Sequence, residues 1–218
     1  MSALSVRSLG SCVVLIALAP LGVARAQDRD IRDIDPLGRL DPSTRYSVEV
    51  ILDSARVAGL PTAPIESKAL EGISKRVDGR RIVVAVRNVF HKLRDARTAL
   101  GPNANADELK AAAGALSVGV TAAELAQLAK TRHDKHLTYP LVVLSDLITR
   151  GVPRDTASQT IFQLWQRGAA DDDFLGLFRG VERDIVSGTD PGVALLNRAR
   201  EIPSRGPPAT PPASARPE

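Results

Sequence analysis

The chain has almost no cysteine, few rings and few histidines, and each shortage removes a class of chemistry. Its single cysteine, Cys12, lies within an N-terminal leader. Once that leader is removed, no disulfide, thiolate metal site or cysteine nucleophile remains. Aromatic residues make up 3% of the 218 positions, so a core has to be built from aliphatic side chains. Trp165, Phe162, Phe174 and Phe178 recur at helical spacing and read as parts of that core before they read as a ligand pocket. Phosphate-binding signatures are missing: there is neither a Walker loop nor a G-x-G-x-x-G after a strand. Ser54, Ser145 and Ser187 lack the G-x-S-x-G elbow of a hydrolase nucleophile. No turn signature joins alternating apolar runs, so hairpins are not expected.

Residues 1–26 read as a signal peptide. Arg7 precedes the apolar run from Cys12 to Ala24, and Ala24-Arg25-Ala26 supplies the small-x-small pattern of a cleavage site. Pro20 and Gly22 interrupt the run, which is shorter than the ~20 apolar residues of a membrane span. No permanent membrane anchor is therefore expected, and the mature protein is predicted to be exported, periplasmic or secreted after cleavage following Ala26. Leu9-Gly-Ser-Cys12 imitates a lipoprotein box, but it opens the apolar run instead of following it.

Removing the leader takes Arg7 and Arg25 from the 29 basic residues and none from the 25 acidic ones, leaving 27 against 25, a net charge of +2 instead of +4. Such a balance does not call for a nucleic-acid partner, which would need cations clustered on one face. Residues 27–43 form a charged lead-in and residues 203–218 a proline-rich tail; both are expected to be flexible or disordered. A single domain over 44–202 remains, large enough for a core of its own.

Within it the apolar spacing is helical throughout. Ile82, Val83, Val86, Val89, Phe90, Leu93 and Leu100 make one stripe, Phe174, Leu175, Phe178, Val181 and Ile185 a second, and Ile65, Ala69, Leu70, Ile73 and Val77 a third, weakened at Gly72. Tyr139-Pro-Leu-Val-Val-Leu144 is β-branched enough for a strand, yet Pro140 suits a first helical turn and Leu147 and Ile148 continue the period. Three corners share one syntax: "RVAGLPTAP" at Arg56, "LSVGVTAAE" at Leu116 and "ITRGVPRDT" at Ile148. Glycine supplies the left-handed cap that ends a helix, and proline or threonine two residues on suits the next start.

The expected fold is all-α, a helical bundle or a short stack of helix-turn-helix units. A shift of 92 residues aligns Gly59 with Gly151, Pro61 with Pro153, Arg87 with Arg179 and Val89 with Val181 without a gap. Over Tyr46–Val89 it gives six identities in 44 positions, which points to an internal duplication of a three-helix unit, 44–100 and 139–187, only in outline. A helical pair turning at Gly119 lies between the units, and a last helix follows Asp190-Pro191.

Two clusters are candidates for function. Lys75, Arg76, Arg80 and Arg81 surround Asp78-Gly79 as the densest basic patch, suited to anionic headgroups or an acidic wall polymer. His133 and His136, three apart on one helical face, offer two imidazoles to a divalent metal. A third ligand would have to come from His91, Asp134 or Glu124, and the HExxH spacing is absent. Asp171-Asp-Asp173 precedes a helix, where acids meet its positive end. "ALSVGVTAAELAQLAK" at Ala115 imitates a DNA-reading helix pair without the cations that phosphates need. The resulting expectation is an exported, non-enzymatic helical interaction or scaffold module of the cell envelope, without a cofactor, whose partner is a protein or an envelope component. The alternative is a metal-dependent envelope hydrolase using His133 and His136.

Overall fold

The computed structural model describes residues 37–131 and 136–204, in which there are helices and no strands. The predicted leader, most of the lead-in, His133 and nearly all of the proline-rich tail lie outside the described residues. In order the helices are α1 (Pro42–Val57), α2 (Ala63–Ser74), α3 (Gly79–Leu100), α4 (Ala106–Ser117), α5 (Ala122–Lys130), α6 (Thr138–Thr149), α7 (Arg154–Gln166), α8 (Asp171–Val186) and α9 (Pro191–Glu201). The fold is all-α, with none of the described helices long and apolar enough to cross a membrane.

Short polar side chains fix the starts of several of these helices, though not of α2, α6 or α7. Asp41 accepts from the backbone N–H groups of Ser43 (3.1 Å) and Thr44 (3.0 Å), with Pro42 at the first helical position. Asn105 and Glu108 form a reciprocal capping box at the start of α4, as do Thr121 and Glu124 at α5. Pro140 sits in the first turn of α6, where its missing N–H costs nothing.

At each glycine corner the residue after the glycine donates back over the last turn: Leu60 to Ala55 O (2.9 Å), Val120 to Ala115 O (3.0 Å) and Val152 to Leu147 O (3.0 Å). Gly59, Gly119 and Gly151 have φ of 62°, 97° and 93°, which spares them the Cβ penalty. Leu60, Val120 and Val152 are buried, the apolar contact that completes such a cap. The Gly-Val or Gly-Leu pair is thus one device: glycine turns the chain, and its neighbour anchors the turn in the core.

Packing is local in chain order. Principal contacts join helices one or two steps apart and no further. α1, α3, α5, α7 and α9 form one row; α4, α6 and α8 form a second, and α2 covers α3. That is the contact pattern of a short stack, in which each unit buries its apolar face against its neighbours.

The 92-residue shift carries α2 onto α7 and the first residue of α3 onto the first of α8. Ile51, Leu52, Ala55, Leu60, Ile65, Ala69 and Ile82 then fall on Val143, Leu144, Leu147, Val152, Ala157, Ile161 and Phe174, and all of them are buried. The packing differs, however: α2 lies on α3, whereas α7 lies on α6 and α9. Gly72 supplies a physical reason. A Cβ there would stand 2.6 Å from Ile82 Cγ1, so α2 approaches α3 closely only because position 72 has no side chain. The matching pair in the second unit is Leu164 and Phe174, whose bulk leaves no such approach.

Val77, expected to extend the helix of Ile65 and Ile73, lies beyond its end. α2 stops at Ser74, and Val77 donates to Gly72 O at 3.0 Å in the same kind of cap.

Candidate functional site

The four predicted cations meet at the α2–α3 corner. α2 ends with Lys75 at its C-cap, Asp78 caps α3 by accepting from Arg80 N (3.0 Å), and Arg80 and Arg81 occupy the first turn of α3. The start of α1 braces the corner: Gly79 lies so close to Thr44 and Asp41 that a Cβ would stand 2.1 Å from Thr44 Oγ1. All four cations are exposed.

Lys75 Nζ lies 2.6 Å from Glu71 Oε1, and Lys68 Nζ lies 2.7 Å from Glu71 Oε2. These two ammonium groups, Lys68 first, hold the Glu71 carboxyl down from 4.5 to about 2. Among the described residues none of Arg76, Arg80 and Arg81 is ion-paired.

Two features here run against local preference. Arg76 has φ of 53° and is the single described non-glycine residue with a positive φ, although that region disfavours any residue with a Cβ. Arg80 and Arg81 stand in the first turn of α3, where the helix dipole opposes cations, and the acid that meets the dipole is Asp78 at the N-cap. The matching corner between α7 and α8 follows both preferences. Gly168, with φ of 78°, stands where Arg76 does, and Asp171, Asp172 and Asp173 open α8. Asp173 caps the helix by accepting from Ala170 N at 2.7 Å, while Asp171 and Asp172 face solvent. Beside them a concavity of about 570 Å³ is lined by His136, Tyr139, Ala170, Asp171, Asp172 and Leu175.

Of the histidine candidates, His133 is outside the described residues. His136 Nδ1 stands 3.8 Å from Glu108 Oε1 and 3.2 Å from Asn105 Nδ2, with its side chain 73% exposed. Glu108 is the carboxylate that the sequence reading missed. It is fully buried, accepts from Asn105 N (2.9 Å) and Leu137 N (2.8 Å), and so ties the start of α4 to the start of α6. The Asn105-x-x-Glu108 spacing announces the cap; nothing nearby in sequence announces the bond to Leu137. Glu124, weighed as a metal ligand, is committed to Thr121 N (2.7 Å) and to Arg154 Nη1 (3.3 Å). Among the described residues no three His, Cys, Asp or Glu side chains gather to hold a metal ion.

The remaining candidates are occupied structurally. The hydroxyls of Ser54 and Ser145 donate to Val50 O and Leu141 O, both at 2.8 Å, and Ser187 donates to Arg183 O at 2.6 Å. Trp165 and Phe174 are core residues with ring centroids 6.5 Å apart. Phe162 lines a cavity of about 110 Å³ between α5, α6 and α7 with Leu128 and Leu144, well below the ~300 Å³ where small-molecule pockets begin. α5 presents Ala122, Ala123, Gln127 and Lys130 to solvent, a single cation for a would-be DNA-reading helix.

The arrangement is therefore a stack of paired helices bearing one exposed cationic corner whose residues run against local structural preference. No protein-family model matches the chain, and neither a curated protein nor a solved structure matches it.

Proposed function

We propose that this chain is an exported, non-enzymatic interaction module of the cell envelope, and that it holds an anionic partner at the α2–α3 corner through Lys75, Arg76, Arg80 and Arg81. What supports the reading is that among the described residues three arginines have no ion-pair partner, one of them where the backbone favours glycine and two in a helix's first turn, where the dipole opposes cations. Residues that break local rules without a structural return are characteristic of functional sites. Three guanidiniums with free donors suit carboxylates and phosphates, which they engage by paired hydrogen bonds.

The test uses the protein as bait in an extract of the source cell's envelope, next to a variant carrying Lys75→Glu, Arg76→Glu, Arg80→Glu and Arg81→Glu. The expected result is a component retained by the wild type, released by salt and lost with the variant. Retention that survives the four reversals overturns the assignment of the contact to this corner; no retention, in an extract where known complexes survive, overturns the reading itself.

A further inference from the structure

We propose that the anionic partner of the α2–α3 corner is a second copy of this chain, engaged through its α7–α8 corner. This rests on reading the α2–α3 corner as a binding surface and names what it binds.

The two corners are equivalent under the 92-residue shift and opposite in charge. Arg76 falls on Gly168, Gly79 on Asp171, Arg80 on Asp172 and Arg81 on Asp173. The likeness is local: Arg76 and Gly168 both have positive φ, and Val77 and Ala169 donate to Gly72 O and Leu164 O, both at 3.0 Å, although α2 packs on α3 and α7 on α6 and α9; the inverted charge makes the two turns complementary in sign. Both present their charges to solvent: Lys75, Arg76, Arg80 and Arg81 on one, Asp171 and Asp172 on the other.

The acidic corner also has room for an arginine. Its concavity of about 570 Å³ is walled by Tyr139, 41% exposed, and by Leu175, beside Asp171 and Asp172. A guanidinium entering there meets two carboxylates and an aromatic face, and its methylene stem meets Leu175. His136 lines the same space.

One copy cannot pair its own corners. α2 and α3 belong to the first third of the stack and α7 and α8 to the last, with α4 to α6 between them and no principal contact across. The pairing must then be intermolecular. It is also heterologous, since each copy donates one surface of each kind, and such contacts propagate into open assemblies.

The experiment is sedimentation equilibrium of the purified protein at about 30 mM and about 0.5 M salt, conditions that leave surface charges exposed to one another and screen them, respectively. At low salt the mean mass is expected to rise with concentration beyond twice that of one chain, and to return to the monomer at high salt. Two variants follow: one carries the four reversals of the basic corner, the other Asp171→Lys and Asp172→Lys, leaving Asp173 to cap α8. Each alone is expected to stay monomeric with an unchanged Trp165 emission maximum, while their equimolar mixture associates again. A wild type that remains monomeric at low salt overturns the proposal, and so does a mixture that stays monomeric while each variant is folded. If the protein is monomeric and the envelope extract still yields a component lost with the basic-corner variant, the self-association falls and the function proposed above stands.

Discussion

Replacing Arg76 by glycine is expected to stabilise the protein while weakening its binding. With φ of 53°, Arg76 holds its Cβ against the following carbonyl, which costs about 1–2 kcal/mol relative to glycine. Glycine gives back part of that, about 0.5–1 kcal/mol, through its greater freedom in the unfolded chain. The loss of a cation at the end of α2 costs a few tenths more at ~0.3 kcal/mol, and relief of repulsion from Lys75, Arg80 and Arg81 offsets about as much. The net gain is about 0.5–1 kcal/mol, equivalent to roughly 2 °C in Tm for a domain of this size. The assay is urea unfolding followed by the fluorescence of Trp165, the only tryptophan and 4% exposed. Arg76→Ala is the control, since it removes the charge and keeps the Cβ; it should gain nothing. An Arg76→Gly variant no more stable than Arg76→Ala would refute the conformational reasoning, and one that binds as tightly as the wild type would refute the role of the side chain.

Gly72→Ala should destabilise by about 1–3 kcal/mol, against its gain in helix propensity, because the new Cβ meets Ile82 Cγ1 at 2.6 Å. In an Ile82→Ala background the same change should cost almost nothing, which a double-mutant cycle in urea reads directly. Glu108→Leu orphans the N–H groups of Asn105 and Leu137 and is expected to cost about 3 kcal/mol, with Glu108→Gln milder because an acceptor is kept. Asp146 is raised above its ordinary 3.8 by burial first, with Glu182 adding to the effect and Arg150 opposing it. A raised group contributes stability below its unfolded pKa and loses it as pH rises through the folded one. Asp146→Asn should therefore stabilise the fold at neutral pH, an advantage that fades in melts below about pH 4.

The corners were legible because each is a local event: an apolar run, a glycine and an anchoring Val or Leu that a reader finds without knowing the fold. Helix type was legible for the same reason, even for β-branched Val142 and Val143, since Pro140 fixed the start of α6. The expectation for Val77 failed through a cap with no glycine in it. Arg76 takes the left-handed position, and only its alignment with Gly168 carried a hint of that. Glu108 was hidden by an ordinary role, the third residue of a capping box, whereas its bond to Leu137 spans 29 positions and depends on where α6 begins. The choice of stack over bundle was likewise illegible, because the distance between α2 and α4 or between α5 and α7 belongs to tertiary packing. The basic cluster was visible as composition; its reversal of local preference became visible only with the dihedral of Arg76 and the first turn of α3.

The near-neighbour packing of the two rows has a kinetic consequence. A chain whose principal helix contacts join elements one or two steps apart closes mostly short loops on its way to the native state, so its contact order is low and folding should be fast. Structure can start at any sufficiently apolar corner and spread, and unfolding can begin at α1 or α9 and stop partway. Amide exchange should then report a gradient of protection, highest in α4 and α6 and falling towards both ends, instead of one uniform opening. The cationic corner, set in the first third of that gradient, would open independently of the far end of the stack.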